Sequence, residues 1–151
     1  MKKLLTLIPA IWLTVWLGCG GGGTDSPEQT NTGDGGKGEP AKSKGVIAYT
    51  PLTLSNPFFK VIGDHIKAEA EKNGYTVLMV DPDMDVKKQS DQIDDFIAKN
   101  VTAIVLVPCD RLSVGPAVQA ANKAGIPVFT VDAKCAAENA KIEGHVGTDN
   151  L

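Results

Sequence analysis

Seven residues from Val101 to Val107 are apolar except for Thr102, and Pro108 stops the run. So short a stretch, rich in β-branched side chains and with no polar alternation, fits a central parallel strand covered on both faces. A parallel strand cannot be reached through a hairpin, so the chain around it must supply crossover helices. That one run therefore calls for strands and helices in alternation on both sides of it.

The flanking sequence has that alternation. Val46-Ile47-Ala48-Tyr49 reads as a first strand that breaks at Thr50-Pro51. Ser55-Asn56-Pro57-Phe58-Phe59 then opens a helix, with Ser55 or Asn56 as its cap and Pro57 in a first turn that needs no N–H there. Phe59, Ile62, Ile66 and Ala70 repeat at helical spacing, and Asn73-Gly74 supplies a left-handed stop. Tyr75 to Val80 is a second strand. Asp85 caps a second helix with an apolar face of Val86, Ile93, Phe96 and Ile97 that ends near Asn100. A third helix spans Leu112 to Lys123 and meets Gly125, Pro127 to Val131 is a fourth strand, and Ile142 to Val146 a short fifth. The pattern predicts an α/β fold, a doubly wound parallel sheet of strand order 2-1-3-4-5.

In such sheets ligands bind beyond the carboxyl ends of the strands, near the point where the winding reverses. The residues to watch are Asn56, Phe58 and Phe59 after the first strand, Asp81 and Asp83 after the second, Cys109 and Asp110 after the third, and Asp132 and Cys135 after the fourth. Reversal beside the first strand brings the first, third and fourth sets to one edge. Two aromatic rings at the mouth of a strand-to-helix turn suggest a ligand platform, against the plainer reading that one or both are core residues.

Not all of the 151 residues belong to that domain. Met1-Lys2-Lys3 is basic, Leu4 to Leu17 is apolar apart from Thr6, Pro9 and Thr14, and Gly18-Cys19 follows. Residues 1–18 have the layout of a secretory signal, too short and wrongly flanked to be a spanning helix. A small residue and a cysteine at its end resemble a bacterial lipoprotein signal, which implies lipid attachment at Cys19. Trp16 departs from that pattern, which usually has leucine three residues before the cysteine. Residues 19–44 change to Gly, Thr, Asp, Ser, Pro, Glu, Asn and Lys, a composition that cannot offset its ordering entropy and reads as a flexible tether. Gly33-Asp34-Gly35-Gly36-Lys37-Gly38 lacks the spacing, the hydroxyl and the preceding strand of a phosphate-binding loop. Residues 45–151 remain as the folded domain.

No catalytic constellation competes. His65 lies in the first helix among polar neighbours, and His145 sits near the chain end without a partner at metal-ligand spacing. Asp81, Asp83 and Asp85 lack the glycine and glutamate of a calcium loop and read as a solvated turn and a helix cap. With a net charge of −3, nothing draws the chain to nucleic acid, and neither a metal nor a cofactor is expected. Cys109 and Cys135 follow adjacent strands with backbones about 5 Å apart, so in an oxidising compartment they are a candidate disulfide. The alternative is two half-buried thiols acting as small apolar residues.

Asn56-Pro57-Phe58-Phe59, Ile126-Pro127-Val128-Phe129-Thr130-Val131-Asp132 and His145-Val146-Gly147-Thr148-Asp149-Asn150, in that order and spacing, resemble the amino-terminal lobe of ribose-type periplasmic sugar-binding proteins, the solute receptors of ABC importers. The resemblance implies that residues 45–151 are one lobe of two, incomplete without a second, and that a sugar or polyol is held between them. It assigns Asn56 and Asp132 to ligand hydroxyls and Phe58 and Phe59 to the sugar ring; Asp110 joins these as a further ligand candidate. The chemistry agrees, since a sugar has C–H faces that pack on aromatic rings and hydroxyls that a carboxylate accepts in pairs. Where the ribose-type pattern has arginine after the aspartate, this chain has Ala133 and then Lys134, which cannot reproduce a planar fork, so ribose itself is not the expected ligand. The resemblance further implies a non-enzymatic, extracytoplasmic protein, in the periplasm or at the cell surface, held to a membrane through Cys19 and delivering to an ABC permease. The alternative is a co-receptor of the same fold acting on a membrane kinase or chemoreceptor.

Overall fold

A computed structural model describes residues 43–148. The signal segment, Cys19 and residues 19–42 of the tether lie outside the described residues, as do Asp149 and Asn150. Lys44, counted with the tether, already belongs to the domain, its N–H bonded to Gly74 O at 2.8 Å.

Eight elements alternate as expected: β1 (Val46–Thr50), α1 (Pro57–Lys72), β2 (Thr76–Met79), α2 (Val86–Ala98), β3 (Ala103–Leu106), α3 (Gly115–Lys123), β4 (Val128–Val131) and β5 (Gly144–Val146). They form a parallel sheet in the order β2-β1-β3-β4-β5. Register is set by pairs such as Ala48 with Ile104 and Val105 with Phe129. The winding reverses between β1 and β3, as the sequence predicted.

The two faces bury different clusters, and the strand alternation shows why β3 had to be apolar throughout. Ile104 and Leu106 join Ala48 and Val128 under Ile93, Phe96 and Val118, where α2 and α3 pack together. Val105 and Val107 point the other way, toward Tyr49, Phe59, Ile62 and Ile66 beneath α1. Among the described residues α1 is the one helix on that second face, and it packs chiefly over β2.

Caps follow the chemistry of the sequence. Asn56 Oδ1 accepts from Phe58 N at 3.0 Å, which selects Asn56 over Ser55, and Asp85 Oδ1 accepts from Lys88 N at 2.8 Å. Gly74, at φ 84°, closes α1 while Tyr75 N returns to Ala70 O at 2.9 Å. α3 begins three residues later than the sequence suggested. Asp110 takes Leu112 N and Ser113 N at 3.0 and 2.7 Å, winding residues 111–114 into a turn before the helix starts at Gly115. β5 is also shorter than expected, starting at Gly144, although Glu143 N already donates to Val128 O at 2.8 Å; just before it, Asn122 holds Lys141 through that residue's N–H and C=O.

Candidate functional site

Pro57 and Phe58 form the first turn of α1, so the Asn56 cap fixes where the Phe58 ring stands at the carboxyl edge of the sheet. Phe58 is 54% exposed; Phe59 is 5% exposed. The expected pair of platform rings is thus corrected to one ring and its support. One helical step turns Phe59 into the core against Tyr49 and Val107, and it meets Phe58 edge-on with ring centroids 5.2 Å apart. Tyr49 locks the arrangement from below by donating its phenol to Phe59 O at 3.1 Å. Burial pushes that phenol well above its usual pKa, with the Asp132 charge adding to the effect, so it stays a donor.

Asp132 stands across the edge at the end of β4. Its N–H is held by Val146 O at 2.8 Å, and Ala133 N reaches back to Val131 O at 2.8 Å, closing a three-residue turn with Asp132 at φ 64°. A non-glycine residue rarely adopts that conformation, and the carboxylate it presents is exposed. Gly147 lets the next loop approach: a Cβ there would lie 2.7 Å from His145 Nε2 and 3.1 Å from Asp132 O.

Phe58 and Asp132 line a common cleft of about 440 Å³. One wall is α1, through Phe58, Ile62, His65 and Ile66; the other is Val131, Asp132 and the segment Val146, Gly147 and Thr148. Apart from His65, Asp132 and Thr148 the cleft lining is apolar, on a sheet face that parallel strands ordinarily keep covered. Ligand chemistry concentrates at the rim, where an exposed ring and an ionisable carboxylate face one space. His65, read from sequence as a solvated residue, is exposed and also lines this wall.

The other candidates lie elsewhere. Asn56 is exposed beside Phe58; its Oδ1 is used by the cap while its amide N–H groups meet no partner among the described residues. Asp110 serves as a local cap: hydrogen bonds from Ser113 and Leu112 go to its Oδ1 and hold its carboxyl below the usual range, and it stands apart from the residues that line this cleft. Asp81 accepts from Asp83 N at 2.8 Å, giving the expected solvated turn.

The candidate disulfide is also corrected. β3 and β4 are neighbours, but both cysteines are free. The Cys109 thiol turns to Leu52 O, 4.0 Å away, and burial with Asp85 and Asp81 nearby pushes its pKa up to about 11. Cys135 faces the other way, beside Thr130, Ile142, Gly144 and His145. Adjacent strands bring the two loops close, but the thiols leave them toward different neighbours.

Three residues of consequence carry no role in the sequence reading. Tyr49 was counted as strand alone. Gln89 and Gln92 lie on the buried face of α2 with Ile93 and Phe96, a position that their 3.6-residue spacing from Val86 and Phe96 could have disclosed.

An α/β lobe whose strand ends present an aromatic ring and a carboxylate to one open cleft defines a ligand-binding module. The chain belongs to the periplasmic binding protein domain family, which it matches over residues 47–151. It is 32% identical over 151 residues to the ribose import binding protein RbsB of Bacillus subtilis, covering 100% of this chain and 47% of that protein. Among solved structures, an ABC transporter solute-binding protein of Mycobacterium smegmatis with bound glycerol superposes with a TM-score of 0.63 at 33% identity, covering 70% of this chain and 36% of that one. A Caulobacter myo-inositol binding protein bound to myo-inositol gives 0.67 at 25% identity, covering 74% and 38%. The chain thus corresponds to the amino-terminal lobe of ribose-type sugar-binding proteins and spans about half the length of the curated relative.

Proposed function

We propose that this chain is the amino-terminal lobe of an extracytoplasmic receptor, not an enzyme, that captures a sugar or polyol and delivers it to an ABC permease. The observation that carries this reading is the pairing of exposed Phe58 with Asp132 across one cleft rim, the second held in a conformation that only a constraining loop maintains. Phe58 packs on a C–H face of the ligand, Phe59 backs it, and Asp132 accepts hydroxyls; Asn56 Nδ2 offers a donor beside them. The ribose, glycerol and myo-inositol named for its relatives are all polyhydroxylated, which supports the ligand class. Ligand contacts from a second lobe favour the closed state, and the permease distinguishes closed from open.

The test is calorimetry of the full-length gene product against D-ribose, D-allose, myo-inositol and glycerol, with mass spectrometry of any ligand that co-purifies. Binding of at least one polyol is expected, and Phe58→Ala weakens it by about tenfold, the scale of one lost aromatic contact. No co-purified polyol and no binding of any of the four would overturn the proposal.

Anchoring through a lipidated Cys19 is part of the same proposal, supported by the basic start, the apolar run and Gly18 before the cysteine. Wild type is expected in the detergent phase after partitioning and Cys19→Ser in the aqueous phase with no fatty-acid label. Wild type in the aqueous phase would reject the anchor.

A further inference from the structure

Polar side chains seldom enter the core of a domain like this, yet Gln89 is 1% exposed and Gln92 7%. Burial of an unpaired amide is costly, so where these groups find partners decides what they do. Gln89 Nε2 donates to Val107 O at 2.9 Å and to Pro51 O at 3.2 Å, while its Oε1 accepts from Cys109 N at 2.8 Å. Gln92 Oε1 accepts from Thr50 Oγ1 at 2.9 Å, and its Nε2 donates to Asp81 O at 2.9 Å. Two side chains from one turn of α2 thereby reach the carboxyl ends of β2, β1 and β3. Among the described residues no buried side-chain polar atom is left without a partner, so this network is closed.

The bonds fall at positions that a sheet ladder does not hold. Pro51 is the first residue after β1 and Cys109 the third after β3, and the β1–α1 loop ends in Asn56, the cap that sets the first turn of α1 and with it Phe58. Leu52, next along that loop, is also where its neighbours meet: Leu52 O accepts from Met84 N at 2.8 Å and lies 4.0 Å from Cys109 Sγ. An amide is suited to this junction because it both donates and accepts, whereas a carboxylate lacks the donors and an aliphatic chain lacks both.

We infer that Gln89, assisted by Gln92, is a positioning residue for the ligand site: it clamps the β1–α1 loop to the β3–α3 loop, so that Phe58 and Asn56 meet the ligand in a preset geometry. It touches no ligand itself. This rests on the sugar-binding reading for its purpose, but the clamp is a property of the lobe and is tested without ligand.

The two free cysteines provide the measurement, since Cys109 sits in the clamp and Cys135 outside it. The full chain and its Gln89→Met variant are alkylated with iodoacetamide, and each cysteine is followed by peptide mass spectrometry. Loss of the clamp should raise the Cys109 rate by about tenfold while Cys135 changes by less than about twofold, the signature of local rather than global opening. An unchanged ratio, or a parallel rise at both sites, overturns the inference. A measurement on wild type guards against a variant that does not fold: amide exchange at Cys109 should be as slow as at Val107, and fast exchange there overturns the clamp equally. Where full-length wild type binds myo-inositol or D-ribose, Gln89→Met should also weaken that binding by about tenfold, and unaltered affinity would reject the positioning role. If wild type binds no polyol, the sugar reading fails, and the Cys109 to Cys135 ratio still decides the clamp.

Discussion

Asp132→Ala in the full-length protein is expected to weaken polyol binding by about 30-fold or more, corresponding to roughly 2 kcal/mol for a carboxylate that accepts paired hydroxyls. The effect should exceed that of Phe58→Ala because a charge-assisted bond has no substitute in the cleft, whereas a ligand can still pack on what the lost ring exposes. Alanine at φ 64° is itself strained, so two companions separate chemistry from conformation. Asp132→Asn tolerates the left-handed region and keeps the shape, yet replaces one acceptor oxygen by a donor; it should lose nearly as much affinity. Asp132→Gly relieves the backbone and should raise stability by about 1 kcal/mol while abolishing the carboxylate contact. Calorimetry and urea unfolding read the two quantities independently. Wild-type affinity in the asparagine variant would remove Asp132 from the site, and a glycine variant less stable than wild type would show that the turn is not strained.

Most of the fold was legible because its signals are local and repeated. A doubly apolar β3 could only be central, and helical spacing, caps at Asn56 and Asp85 and the stop at Gly74 each carry their own chemistry. The site was legible to the extent that topology alone places residues. Strand ends gave Phe58 and Asp132 their common edge, but could not tell that one helical step would bury Phe59, or that Asp110 would spend its acceptor on Ser113 and Leu112. Side-chain direction in loops was the missing quantity, and it also explains the cysteines: β3 and β4 are adjacent as expected, while Cys109 and Cys135 leave them in different directions. Gln89 escaped for a different reason, since a polar residue on an otherwise apolar helix face is informative only once its partners, up to 39 residues away in sequence, are in place.

Gly63→Val is expected to cost the domain about 3 kcal/mol, and to disturb the site as well as the core. Gly63 is the buried midpoint of α1, where the helix lies directly on the sheet. An added Cβ would fall 2.6 Å from Met79 Sδ and 2.9 and 3.1 Å from two ring carbons of Tyr49. The thioether can swing aside, but the Tyr49 ring cannot: it is fully buried and its hydroxyl is tied to Phe59 O. Alanine at this position recovers up to about 1 kcal/mol of helix propensity, which offsets most of a one-carbon clash. Valine adds two further carbons and a β-branch that helices disfavour, so nothing offsets its overlap. Relief requires α1 to lift from β1, and because α1 begins at Pro57 the movement carries Phe58 with it and draws Phe59 O away from the Tyr49 hydroxyl. Both tryptophans, Trp12 and Trp16, precede the described residues, so unfolding is best followed by circular dichroism in urea. A Gly63→Val variant as stable as wild type would show that α1 rides higher on the sheet than these contacts require, and that Tyr49 does not set the height of Phe58.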